Sequence, residues 1–186
     1  LGGGWMRFER APGKGAGEPV MLRATGDLPF AGGLLARTTA EVCCAADELA
    51  TPLSWTLETS VSNTKTAGPV PSLTLKETGE FRDGEIRWRR GRGERALKTA
   101  KRLTTNWTLF EALPRLAARG DGIEGFDMLE DLKMLRPAQR LVADGPIEIG
   151  MGGKPRRLLA FHQIGEGILP MHYLLDERFR LLVAVG

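Results

Sequence analysis

The last thirty residues, 157 to 186, most constrain what this chain can fold into. They contain three apolar runs, Arg157–Ile164, Ile168–Leu175 and Phe179–Val185, separated by two connections of three residues each. Connections this short join neighbouring antiparallel strands as hairpins. The pattern therefore predicts a three-stranded antiparallel meander, with the rest of the chain packed against it.

Both faces of this meander are apolar. If Ile164 pairs with Ile168 and Leu175 pairs with Phe179, strand alternation sorts the side chains into a core face and a reverse face. Antiparallel sheets are ordinarily polar on one side, but the reverse face here is half apolar, so it needs cover or lines a cavity. On it lie four of the candidate ligand-binding residues: His162, His172, Leu174 and Leu182.

Strand patterns also fill most of the chain before the meander. Alternating polarity predicts strands at residues 20–24, 33–46 and 53–61. The strongest hairpin signal is Asp83-Gly84, a two-residue turn between Leu73–Phe81 and Glu85–Arg90. These patterns indicate a fold built largely from antiparallel strands.

Helical spacing is confined to residues 107–136. A capping pair, Thr108 with Glu111, opens the first helix, and Pro114 inside it predicts a kink. A second short helix is predicted from Asp127 to Leu135. The fold class is therefore α+β and mainly β, a strongly curved antiparallel sheet or half-barrel with a short helical insertion packed on one side.

Length and composition predict a single domain over residues 1–186. A chain of 186 residues buries about 70% of its unfolded surface and needs no metal or disulfide to fold. The Gly- and Pro-rich residues 1–20 are expected to be flexible, and no run reaches the length of a transmembrane helix. The chain starts with Leu rather than Met, so we expect that an N-terminal segment, with any export signal, has been removed.

A basic stretch, Arg82 to Arg102, carries nine Lys or Arg residues and one aromatic, Trp88. A positive groove with an aromatic stacking platform can bind single-stranded nucleic acid, and anionic lipid headgroups or cell-wall polymers fit the same charge. However, acidic residues interrupt the stretch and the net charge is only +3. We favour a solvated strand face over nucleic acid, and retain Trp88 as a candidate ligand-binding residue.

The sequence offers little for catalysis. His162 and His172 are the only histidines, about 7–8 Å apart in the register above, and a metal would need a third ligand. We identify no carboxylate on their face, and no serine stands in a nucleophile motif. We therefore predict no catalytic residue, no metal and no cofactor, and we favour a non-enzymatic role.

The strand content, the helical insertion Trp107–Leu135 and the ending Tyr173-Leu-Leu-Asp176 followed by Leu181-Leu182-Val183 resemble bacterial envelope proteins with a half-barrel fold. These include the outer-membrane lipoprotein carriers and related domains of unknown function. The resemblance covers the pattern of residues 53–186 and transfers no site residue. It implies an exported, non-enzymatic protein in the periplasm or cell envelope that holds an apolar ligand or a partner segment in its concave face.

Two functions follow from these observations. The first is a non-catalytic domain that binds a hydrophobic or amphipathic ligand, such as a lipid, on the reverse face of the meander. The alternative is a protein-interaction or scaffold module that uses the same surface or an open sheet edge.

Overall fold

A computed structural model of the chain describes residues 4–11, 15, 17–65, 68–69, 73–99 and 102–186. The chain divides into two compact units. The first unit contains Leu1–Ala46 and Pro52–Lys98, and the second contains Asp47–Thr51 and Thr99–Gly186. That these residues form one domain over 1–186 stays a prediction.

The first unit is a single antiparallel sheet. Its strands follow the order β1-β2-β3-β4-β6-β7-β8, with β5 paired to β4, and a short 3-10 helix at Ala31–Gly33 joins β2 to β3. The strands are β1 (Trp5–Ala11), β2 (Val20–Phe30), β3 (Leu34–Cys44), β4 (Pro52–Asn63), β5 (Gly68–Pro69), β6 (Leu75–Arg82), β7 (Glu85–Arg90) and β8 (Gly93–Lys98). The predicted strands at 20–24, 33–46 and 53–61 are thus present, and β1 lies within the segment predicted to be flexible.

Turn chemistry and alternation explain how this sheet forms. Asp83 and Gly84 both have positive φ, 53° and 77°, as a two-residue turn between β6 and β7 requires. This confirms the predicted hairpin. Trp55 and Leu57 on β4 point to the buried face, while Ser54 and Thr56 point to the exposed face.

The second unit contains a six-stranded sheet and a helix. The strand order is β14-β13-β12-β11-β10-β9, and every pair is antiparallel except β9 with β10. The sheet curls as a half-barrel, which confirms the predicted mainly-β fold class. Its elements are β9 (Leu103–Thr105), α1 (Leu109–Arg119), β10 (Ile123–Glu130), β11 (Met134–Met151), β12 (Lys154–Ile164), β13 (Met171–Leu175) and β14 (Leu181–Val185).

The helical insertion is shorter than predicted. The prediction of a second helix from Asp127 to Leu135 is wrong. Those residues end β10, turn, and begin β11. Residues 126 to 129 are buried on both faces of β10 and Leu132 is buried in the turn, so the helix-like spacing arose without an amphipathic helix. The carboxylate of Asp127 accepts a hydrogen bond from the Ala138 backbone N–H at 3.2 Å instead of capping a helix.

Helix α1 runs without interruption through Pro114, and the kink expected there stays a prediction. It ends at Gly120, which adopts the left-handed conformation with φ 71°. Thr108 is its N-cap residue but makes no side-chain cap bond. Instead, the Thr108 hydroxyl accepts a hydrogen bond from the Thr105 backbone N–H at 3.0 Å, and the Thr105 hydroxyl oxygen accepts one from the Thr108 N–H at 2.8 Å. This reciprocal pair fixes the turn from β9 into the helix.

The core face of the meander contains a buried chain of polar groups. The Tyr173 hydroxyl donates to Gln163 Oε1 at 2.8 Å, and Gln163 Nε2 donates to Gln139 Oε1 at 3.0 Å. Gln139 Nε2 in turn donates to the backbone oxygens of Pro137 and Glu166. Both glutamines are buried, and buried polar groups of this kind are tolerated when they are hydrogen-bonded.

Candidate functional site

The two histidines lie directly opposite each other on β12 and β13. Their pairing follows from a register two residues away from the predicted one, because β13 begins only at Met171 and residues 165–170 form the connection. The ring centroids of His162 and His172 are 6.2 Å apart, with the ring planes at 41°. The histidines are therefore cross-strand neighbours rather than the diagonal pair that was predicted.

A carboxylate joins this pair, contrary to the prediction that none lies on this face. Asp144 is at a β-bulge in β11, where the pairing with β12 shifts between Ala143 and Gly145. Its two carboxylate oxygens lie 2.7 and 2.9 Å from Nδ1 of His162. Asp144 follows Val142, the partner of His162, by two residues, so strand alternation already directs its side chain to the face of His162. The bulge leaves Asp144 without a partner of its own on β12.

An apolar surface surrounds the polar cluster. Strand pairing places it on the reverse face of the meander, which extends across β11 to β14. We use "reverse face" for these residues: Val142, Ala160, His162, His172, Leu174, Val183 and Val185. His162, His172 and Asp144 form an ionisable cluster on this surface, and Arg140, which pairs with Ile164, lies on the same face two residues before Val142.

The reverse face is covered at one end and open at the other. Leu158 and Ala160 on β12 are buried, and Leu158 is only 2% exposed. Farther along the face His172 is exposed and Leu174 is half-buried. The face therefore presents an accessible apolar surface beside the histidines, continuous with residues that are already buried.

Leu182 is displaced from its predicted place. A register shift between Leu174 and Leu175 brings Val183 opposite Leu174 and Val185 opposite His172. In the predicted pairing Leu182 stood opposite His172. Leu182 is 46% exposed on β14, which is the outermost strand of its sheet.

Trp88 belongs to the first unit, so the structure does not join it with the other four predicted residues in one unit. It lies on β7 between Gly79 and Arg95 and is half-buried. Nearby is a cavity of about 370 Å³. Its charged lining residues carry both signs: Glu41, Glu80, Arg87, Arg89 and Glu94.

Ion pairs partly neutralise the basic stretch around Trp88. Arg87 donates to Glu85 at 2.5 Å and Arg89 to Glu94 at 3.4 Å. The hydrogen bond to Glu85 raises the pKa of Arg87. Lys101, part of the stretch, lies outside the described residues. These pairs fit the solvated strand face that the sequence favoured over a nucleic-acid groove.

Two further observations concern metal clusters and membrane-spanning helices. Within the described ranges, no group of three or more His, Cys, Asp or Glu side chains is arranged to hold a metal ion. Over the same ranges, no helix has the length and apolarity needed to cross a bilayer.

The fold and the surface together define a β-barrel-like domain. No protein-family model and no curated protein matches the chain. Among solved structures, the chain is similar to the crystal structure of a β-barrel-like protein of a domain of unknown function, DUF1849, from Brucella abortus. The TM-score is 0.56 at 10% sequence identity, over 96% of this chain and 79% of that chain. The likeness confirms the β-barrel-like fold but does not support the lipoprotein-carrier assignment.

Sequence reasoning missed Asp144 and Val185. Asp144 stands in Asp144-Gly145-Pro146, and Gly145 has a φ of 85°. Gly and Pro inside a strand pattern commonly mark a bulge, so this tripeptide was the available signal. The shift that brings Val185 opposite His172 has no such marker in the sequence.

Proposed function

We propose that this protein is a non-catalytic domain of the cell envelope that binds a hydrophobic or amphipathic ligand, such as an acyl chain, on the reverse face. One observation carries the proposal: an apolar surface spanning four strands stays accessible beside the His162–Asp144 pair. A solvated sheet face would ordinarily be polar.

The chemistry of the surface suits an amphipathic molecule. Leu174 and Val183 lie in one cross-strand row that would receive the chain, and the buried Ala160 closes that row at β12. His162 and His172 form the neighbouring row with Val142 and Val185, and would face a polar headgroup. Burial of apolar area at about 25 cal/mol per Å² would supply most of the affinity.

Binding of a fluorescent 16-carbon fatty acid, measured by titration with EDTA present, tests this function. Leu174→Asp places a charge in the apolar row, and we expect at least a tenfold loss of affinity, since burying a leucine side chain is worth about 1.5–3 kcal/mol. The matched control is Leu169→Asp in the β12–β13 connection, where Leu169 is 76% exposed. Equal affinities for both variants and the wild type would reject the reverse face as the site.

Native mass spectrometry of the purified protein gives an independent readout. Co-purified lipid should appear as a mass increment on the wild type and be reduced on Leu174→Asp. An increment retained equally by both proteins would place any lipid elsewhere on the chain.

A second candidate function, protein interaction, is favoured by the edge strand β14. Native edge strands are commonly blunted by charge or proline, but β14 reads Leu-Leu-Val-Ala-Val with neither. Leu182 and Val185 on it are exposed. Size-exclusion chromatography with light scattering distinguishes the candidates: a stable oligomer dissociated by Leu182→Lys, on the exposed side of β14 away from the apolar row, would favour the edge. A monomer that binds the fatty acid would favour the ligand-binding function.

A further inference from the structure

We propose that His162 and His172 bind a divalent transition-metal ion through their Nε2 atoms, with Asp144 as the positioning residue. This goes beyond the binding of an apolar ligand and does not depend on it.

The contact with Asp144 fixes the tautomer of His162. Its Nδ1 lies 2.7 and 2.9 Å from the oxygens of Asp144. An ionised carboxylate only accepts hydrogen bonds, so Nδ1 carries the proton. The neutral imidazole then has its lone pair on Nε2, on the far side of the ring from Asp144. Carboxylate–histidine pairs orient metal-ligating histidines in this way.

His172 lies close to the distance at which it could bind the same ion as His162. A metal bound at about 2.1 Å to a ring nitrogen lies about 3.2 Å from the ring centre, so two ligating imidazoles have centroids about 5–6 Å apart. The observed separation of 6.2 Å is just outside this range. The exposed side chain of His172 can close the difference by a small rotation, while His162 stays fixed by Asp144.

The ligand atoms determine which ions this site would bind. Imidazole nitrogen suits zinc, copper, iron and nickel, whereas calcium and magnesium prefer oxygen ligands. The described residues provide two ligands here and no third. Water or a small molecule would therefore complete the coordination, leaving an exchangeable site with open positions.

Cu²⁺ is the sharpest probe, because it binds nitrogen sites most strongly among the divalent first-row metals. We would titrate Cu²⁺ into the 186-residue chain and record its electron paramagnetic resonance spectrum. We expect one site with nitrogen hyperfine structure from two imidazoles. His172→Ala should lower the affinity at least tenfold and leave one imidazole nitrogen. Retention of the two-nitrogen signal in the His162→Ala/His172→Ala double variant would overturn the proposal.

Asp144 is tested through its positioning role. Asp144→Ala should weaken Cu²⁺ binding by about 10–100-fold while the two-nitrogen spectrum persists at saturation. Asp144→Asn keeps an acceptor for Nδ1–H and should restore part of the affinity. Glu148→Gln, farther along β11, is the matched control and should bind as the wild type does. Equal affinity in all three variants would remove Asp144 from the site.

Two measurements keep the outcome interpretable. Far-UV circular dichroism without metal establishes that each variant is folded. The fatty-acid titration in EDTA is independent of the metal, so a wild-type protein that binds the fatty acid but shows no Cu²⁺ site would refute only the metal site.

Discussion

Replacing Tyr173 with Phe tests the polar chain buried under the meander. The substitution keeps the ring and removes only the hydroxyl that donates to Gln163 Oε1. Burial raises the pKa of Tyr173, so the hydroxyl stays protonated and able to donate at neutral pH. No cavity forms, and the effect isolates one hydrogen bond.

The magnitude follows from the burial of the acceptor. Gln163 is fully buried, so its Oε1 loses its partner without gaining water. Leaving a buried group unsatisfied costs about 1–3 kcal/mol. For a chain of this length each kcal/mol lowers Tm by about 2–4 °C, so we expect a decrease in Tm of about 2–12 °C.

Gln163→Leu should be worse, because it removes the partner of both the Tyr173 hydroxyl and Gln139 Oε1. Leaving these two buried groups without hydrogen-bond partners should lower the free energy of unfolding by about 2–6 kcal/mol. Adding Tyr173→Phe then removes one of them, so the double variant should be more stable than Gln163→Leu alone. Urea unfolding followed by circular dichroism supplies the three free energies. If the double variant is destabilised by the sum of the two single-variant values, within about 0.3 kcal/mol, the hydrogen-bonded network is refuted.

Two further expectations can be checked by the same unfolding measurements. Gly79→Ala would bring a Cβ within 2.1 Å of the Trp55 ring, which is 3% exposed, and should cost about 1–3 kcal/mol; Gly150→Ala meets nothing within 4 Å and should be near neutral. The side-chain hydrogen bond from Arg180 holds the pKa of Asp176 below its usual value. The lowered pKa of this carboxyl group stabilises the folded protein at pH values above the unfolded-state pKa of about 3.9. This stabilisation is lost as the pH falls through the folded-state pKa. Asp176→Asn should therefore be less stable than wild type at pH 7, with the difference vanishing in acid; a constant difference would contradict this cause.

Much of the fold could be predicted because local rules and burial agree. β4 alternates between exposed and buried residues from Ser54 to Glu58, and Asp83-Gly84 suits a tight hairpin. The failure at residues 127–135 has the opposite cause. There Met128, Leu129 and Leu132 are buried around both a strand end and a turn, so apolar spacing alone could not separate strand from helix.

The site was predicted in part, for a physical reason that concerns register. His162 and His172 share a face in both pairings, because a shift of two residues preserves the face and changes only the neighbours. Polarity patterns specify faces well and offsets along a strand poorly. The connection at residues 165–170 sets the offset, and its length was the quantity that the sequence left open.

The bulge at Asp144 connects these observations. There the Asp144 carboxylate contacts His162 and fixes the orientation of one ring of the histidine pair. Asp144 is exposed, so its charge stays in contact with water and costs little desolvation, and its hydrogen bond fixes the orientation of the His162 ring. An oriented and accessible histidine pair is the arrangement that a bound ion or headgroup would use, and the metal and fatty-acid titrations decide separately whether the site holds an ion, a headgroup or both.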